Sequence, residues 1–378
     1  MSDILSSPVL TKADLAECAL VSHSFLDLVR PILYRFISLA IYRQEACDIG
    51  DTPERHYALE EGGALFSALV ENPRLLQHVR HFAVDIAQYD FFDEPDDYDD
   101  GDVERVVVPL AEKLPQLLVG MSHLDQLSSW TDQPEERSRL VQTPLPTVTS
   151  IGILVLPPDF ARLFPALTTL TTRLASSSTP SVLAESGVAP PARLQKLEIN
   201  GATPEGPSLD HFVWLTSASR ETLRSLSTPF NFWPPRPHFP PFHPPLEGLT
   251  ALHALELVVG RPHGVPPESR PSAYLSFPPS LQELTIRCGA SEHNPPLYGR
   301  RGDPALPTSL RRLCLYGRGS AIVEPAVLVR VLRDEHALPA LEALELRCPK
   351  QDWAKAEAML DGRRMLGSTQ AGTSNEQM

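Results

Sequence analysis

Cysteine is scarce in this chain and poorly spaced for disulfide or metal chemistry. Its five residues, Cys18, Cys47, Cys288, Cys314 and Cys348, form no C-x-x-C pair and are too scattered to frame a stapled fold, which points to a reducing compartment. No stretch of about 18 uninterrupted apolar residues occurs, and the opening MSDILSSPVLTKADL has no basic run followed by an apolar core. Neither a membrane-spanning helix nor a secretory leader is expected, so the compartment read from the sequence is the cytoplasm or nucleus. Basic residues are also in deficit, 33 against 47 acidic for a net charge of −14, which argues against nucleic acid or an anionic membrane as partner.

Motifs of catalysis are missing as well. There is no G-x-x-x-x-G-K-[ST] phosphate loop, G-x-G-x-x-G turn, H-E-x-x-H helix or G-x-S-x-G elbow. His78 with His81, and His238 with His243, have no carboxylate or cysteine company of the kind a zinc site requires. The expectation is a protein without catalytic residues, cofactor or metal.

What the chain has in abundance is leucine at a fixed interval. An L-x-x-L-x-[aliphatic or Thr] hexapeptide recurs every 29 residues at Leu194, Leu223, Leu252, Leu281 and Leu310, reading LQKLEI, LRSLST, LHALEL, LQELTI and LRRLCL. A further copy, LEALEL, begins at Leu341, and a weaker one, LTTLTT, at Leu167. Such a period is the mark of a leucine-rich-repeat solenoid, in which one short strand per repeat turns its leucines inward and parallel stacking builds a continuous core. The Leu223 copy carries Thr228 in its third apolar slot, and only the Leu194 copy keeps an asparagine, Asn200, just after the strand. The fold class expected is α/β: a solenoid of parallel strands with irregular Pro-rich or short helical return segments, preceded by a small helical segment.

The remaining stretches are organised around that array. Apolar residues recur at helical spacing from Thr11 to about Tyr42, with Thr11 and Asp14 as a capping signature and Pro31 as a kink. Asn72 and Pro73 read as N-cap and first residue of a later helix, before a strand begun by Val79, Phe82 and Val84. Between Asp90 and Glu104 lie nine acidic residues, without which the net charge would be −5. Tyr98 spoils the calcium-loop spacing there, so a solvated insertion is expected. Residues 110–174 hold looser strand-like pieces at His123, Val148 and Leu167, read as irregular repeats. The segment Pro229–Pro245, PFNFWPPRPHFPPFHPP, keeps the 29-residue interval around it and is read as an extended return path. The divisions expected are helices over 1–45, a helical linker and first strand over 46–88, an acidic insertion over 89–105, irregular repeats over 106–190, regular repeats over 191–361 and a polar disordered tail over 362–378.

The string DLAECALVSHSFLDLVRPILYRFISL, Asp14 to Leu39, resembles the second half of a fungal F-box, and ALFSALVENPRLLQHVRHFAVDI, Ala64 to Ile86, resembles the segment C-terminal to the F-box in that family. The resemblance covers about residues 4–86 in detail. It implies that Leu15, Cys18, Leu20, Val21, Ser22 and Phe25 face the adaptor subunit of a cullin-RING ubiquitin ligase. It also implies that the repeats capture a protein destined for ubiquitination. The family's opening Leu-Pro pair and apolar first helix have only ILSS, Ile4 to Ser7, in their place. A scaffold or inhibitor that uses the repeats alone therefore stands as the second reading.

Residues between the inward leucines point outward and form rows along the array. The last of these rows ends in Arg287, Tyr316 and Arg347, joined by Arg312 from a neighbouring row, a candidate dock for an acidic or phosphorylated protein segment. Glu256, Glu283 and Glu345 on adjacent rows offer the other outcome, cross-strand pairing with the same arginines.

Overall fold

The computed structural model describes residue 17 and residues 23–45, 55–61, 63–88, 106–107, 110–131, 141–153, 159–172, 189–200, 209–230, 245–259, 277–288, 306–317 and 338–347. They divide into two compact units, Met1–Leu170 and Thr171–Met378. The expected capping pair Thr11/Asp14, the acidic segment, most of the Pro-rich segment and the polar tail lie outside the described residues.

The first unit opens with helix α1 (His23–Leu33). Val29 is its buried residue, with Phe25, Ile32 and Leu33 packed against it. Helical spacing continues on paper to about Tyr42, but the chain leaves the helix at Leu33 and Phe36–Glu45 forms strand β1. The reason lies in a competing period: Ile37 and Leu39 are buried while Phe36 and Ser38 are exposed, the two-residue alternation of a strand with one wet face. The boundaries expected from sequence are corrected accordingly. Residues 1–45 end in a strand, and 46–88 contain β2 (Arg55–Glu61), α2 (Gly63–Glu71), a 3-10 turn at Pro73–His78 and β3 (His81–Gln88), so β3 is the third strand and not the first. Asn72 does stand at the N-cap with Pro73 next to it, but the turn is held by Leu75 N donating to Asn72 O at 2.9 Å, with no side-chain cap.

The unit continues through β4 (Val106–Val107), α3 (Leu110–Gly120), β5 (Gln126–Thr131), β6 (Ser150–Ile153) and the single turn α4 (Phe160–Leu163), while β7 (Thr169–Thr172) spans the boundary between units. Strands β1, β3, β5 and β6 pair in parallel, with β2 antiparallel on β1 and β4 antiparallel on β2. Gly120 closes α3 where a Cβ would stand 2.5 Å from Leu76 Cδ1, so a larger residue there would have to push the end of that buried leucine aside.

Inward positions of the first unit form columns across the parallel strands: Ile37, Phe82, Leu127 and Ile151 in one, Leu39, Val84, Ser129 and Ile153 in the next. Ser129 is the odd member, 2% exposed with no hydrogen-bond partner for its Oγ among the described residues. A buried hydroxyl left unsatisfied costs about 1–3 kcal/mol. Ser129→Val, which extends the apolar column, is expected to raise stability by about 1 kcal/mol in urea titration, allowing for some repacking. A lower midpoint would show that the hydroxyl contributes favourably.

The second unit contains β8 (Lys196–Ile199), α5 (Leu209–Ser217), β9 (Ser225–Phe230), β10 (Ala254–Val259), β11 (Glu283–Cys288), β12 (Arg312–Gly317) and β13 (Ala343–Arg347). The strands pair in sequence order and in parallel. Leucines that recur every 29 residues meet at paired positions: Leu197, Leu226, Leu255, Leu284, Leu313 and Leu344 make one unbroken column, each no more than 3% exposed. Burying such a side chain is worth about 1.5–3 kcal/mol, and stacking supplies the burial that no single strand could.

Two sets of hydrogen bonds fix the register at the start of each strand. One carbonyl accepts two consecutive N–H groups from the next turn of chain: Arg35, Arg80, Asp125 and Thr149 do so in the first unit, and Gln195, Arg224, His253, Gln282 and Arg311 in the second, all at 2.7–3.1 Å. In the second unit a hydroxyl just before the inward leucine also donates to the carbonyl 28 residues earlier, as Thr222 does to Leu194, Ser280 to Leu252 and Ser309 to Leu281.

Candidate functional site

On β11 the inward Leu284 and Ile286 are buried, Glu283 and Arg287 are exposed and Thr285 is half-buried. Along the second unit the outward positions are mostly half-buried or exposed, with Pro229 and Cys314 buried among them, which gives a parallel sheet with a largely polar outward side. Parallel sheets are ordinarily covered on both faces. The open side is therefore the candidate site.

Most of its ion pairs run between neighbouring repeats. Arg287 forms an ion pair with Glu256 on the preceding strand, and its guanidinium sits 5.1 Å from the centroid of the Tyr316 ring, which faces it in register on β12. Arg312 reaches Glu345 on β13 at 3.2 Å, with Cys314 Sγ 3.6 Å from the same carboxylate oxygen. Hydrogen bonding with Cys314 and then with Glu345 holds the Arg312 pKa above its ordinary value, so the group stays a cation. Lys196 pairs with Glu198 at 3.7 Å and Arg311 with Glu342 at 3.8 Å.

Of the expected docking residues, the fold thus brings Arg287 and Tyr316 together and directs Arg312 toward Glu345. Arg347 stands opposite Tyr316 in register, with its side chain outside the described residues. Both arginines with described side chains already hold glutamates, the alternative left open by the sequence. Because the guanidiniums are about half exposed, each pair contributes only ~0–1 kcal/mol and serves chiefly to orient side chains. Glu283 makes no ion pair among the described residues.

Two features were missed in the sequence. Cys314 occupies an outward row yet is 3% exposed, lying beneath the Arg312–Glu345 pair. The candidate dock takes no residue from the position directly after the first leucine, although Arg224, His253 and Arg311 are exposed there. Their basic side chains at a constant repeat position were the available signal.

In the first unit, the rings of Phe36 and His81 stack at 4.2 Å, Arg35 lies 5.5 Å from the Phe36 centroid, and His81 Nδ1 contacts Gln126 Oε1 at 2.6 Å. His81 is thereby engaged in the sheet surface, and His78 is half-buried, its pKa lowered by burial and then by Arg30. His238 and His243 lie outside the described residues, and among those described no group of three His, Cys, Asp or Glu could hold a metal ion. Of the F-box-like positions, Phe25 packs inside α1 against Val29, while Leu15, Cys18, Leu20, Val21 and Ser22 lie outside the described residues. No described helix is long and apolar enough to cross a membrane.

Neither protein-family models nor curated proteins gave a match to this chain.

Proposed function

We propose that this chain is a protein-recognition module of the leucine-rich-repeat solenoid type, catalysing nothing itself and working in the cytoplasm or nucleus. The observation that carries the reading is the parallel sheet of the second unit, apolar on one side and left to solvent on the other. A ladder of polar, partly exposed side chains along stacked strands fits an extended protein surface better than a small substrate.

The resemblance of Asp14–Leu39 to an F-box sets the reading's finer form: the substrate-binding subunit of a cullin-RING ubiquitin ligase, with the protein captured on the sheet handed over for ubiquitination. Helix α1, with Leu28 50% exposed at the edge of its packed face, is consistent with a segment that contacts another subunit.

The test is a pull-down of the recombinant chain with the purified ligase adaptor subunit. Stoichiometric capture is expected, lost in Leu20→Asp and Val21→Asp variants whose melting curves match the parent. No capture by the parent chain would overturn the ligase connection and favour a repeat scaffold or inhibitor.

A further inference from the structure

Seven arginines and lysines of the second unit have described side chains, and they sort into two groups. Lys196, Arg287, Arg311 and Arg312 each hold a glutamate. Arg193, Arg220 and Arg224 are exposed and make no ion pair among the described residues. These three occupy consecutive turns, the ones leading into β8 and β9.

The two turns are locked together. Ser219, fully buried, donates its hydroxyl to Pro191 O at 2.5 Å and accepts from Leu194 N at 3.1 Å. Thr222 Oγ1 donates to Leu194 O at 2.9 Å, and Arg224 N and Ser225 N both donate to Gln195 O at 2.8 and 2.9 Å. Arg193, Arg220 and Arg224 therefore extend from one rigid backbone platform, with exposed His253 beside Arg224 at the start of the next strand. Glu221 lies in the same turn and offsets one charge, leaving a cationic rim on a chain whose net charge is −14.

Resting on the recognition reading above, we propose that this rim, Arg193, Arg220 and Arg224, is the anion-selecting element of the recognition face. Its ligand is an acidic segment of a partner protein, presented as carboxylates or phosphates. Arg287 and Arg312 hold their own carboxylates and would have to release them to take another, whereas the rim arginines hold none among the described residues. Guanidinium groups grip carboxylate and phosphate with paired hydrogen bonds, and preorganised turns lower the cost of ordering them.

The experiment uses the full chain and immobilised degenerate peptides of three kinds: a central phosphoserine, a central run of aspartates, and a neutral serine. A single-stranded RNA of equal charge is included as a further probe. The expected result is retention of at least one anionic peptide class about tenfold above the neutral class, weakening as salt rises. R193A/R220A/R224A should reduce retention to the neutral level, R74A/R162A on the surface of the first unit should leave it intact, and R287A/R312A tells the rim from the strands, with matching melting temperatures for all. The phosphoserine and aspartate arms tell the two sources of negative charge apart. Equal retention by the triple variant, preference for RNA, or no anionic preference would each overturn the proposal. Retention lost in R287A/R312A but kept in the triple variant would leave the recognition reading standing and move the site onto the strands.

Discussion

Leu284→Ala is expected to cost the second unit about 2–5 kcal/mol, measured as a lower urea midpoint at unchanged slope. Leu284 is completely buried and stands in register between Leu255 and Leu313, so truncation opens a gap in the middle of the column. Inward-facing neighbours on both sides are held by strand pairing and cannot collapse into the space. The outward neighbour supplies the control: Thr285→Ala, on the same strand and half-buried on the polar side, should change stability by less than about 0.5 kcal/mol. Equal effects at the two positions would mean that the strand does not bury one face and expose the other.

The second large effect is a loss of stability in acid. His211 on α5 is 3% exposed, its ring 5.9 Å from that of Trp214, and burial lowers its pKa from 6.5 to about 4. In the unfolded chain the imidazole takes up a proton as pH falls through 6.5, whereas in the folded chain it stays neutral until about 4. Between those values the unfolded state binds the additional proton, so stability falls as pH falls, with a ceiling of about 3 kcal/mol from this group. Above 6.5 the contribution is fully present, and below about 4 no further loss comes from His211. His211→Leu should remove that slope without altering the carboxylate-driven loss at lower pH. Parallel stability–pH curves for parent and variant between 6.5 and 4 would contradict the assignment. His78, lowered chiefly by burial, adds a slope of the same sign in the first unit.

The strands of the second unit were legible because the leucine interval is constant: Leu194, Leu223, Leu252, Leu281 and Leu310 announce their own pairing. The same i, i+3, i+5 frame occurs in the first unit as Val79-Phe82-Val84, Leu124-Leu127-Ser129 and Val148-Ile151-Ile153, which a leucine search at fixed period overlooks. Uneven spacing and substitutions such as Phe82 and Ser129 blur the period, so these strands read only as irregular pieces, since the core requires buried volume and not one residue type. A further buried position three residues before the first, seen at Leu76, Met121, Leu145, Leu249 and Leu338, would have sharpened the search. The end of α1 was illegible for a different cause: Ile32, Leu33 and Phe36 satisfy helical spacing while Ile37 and Leu39 satisfy strand spacing, and strand pairing with β3 decides between them. As for the site, the arginines and glutamates could be assigned to rows, but which would pair depended on diagonal offsets between strands that no single strand encodes.

The doubly accepting carbonyls at the strand starts carry a consequence for how this chain tolerates change. Each sets the alignment of the next strand within a few residues of its beginning, from Arg35 to Arg80 and from Arg80 to Asp125 as much as from Gln195 to Arg224. Outside the strands and the packed helices, the connections between two such clamps can then vary in length, because the alignment is re-established at each clamp. Loop closure makes an added residue in a long connection cheap. Insertions and deletions between clamps are thus absorbed locally, and the molecule can acquire new surface segments without losing the lateral order of its strands.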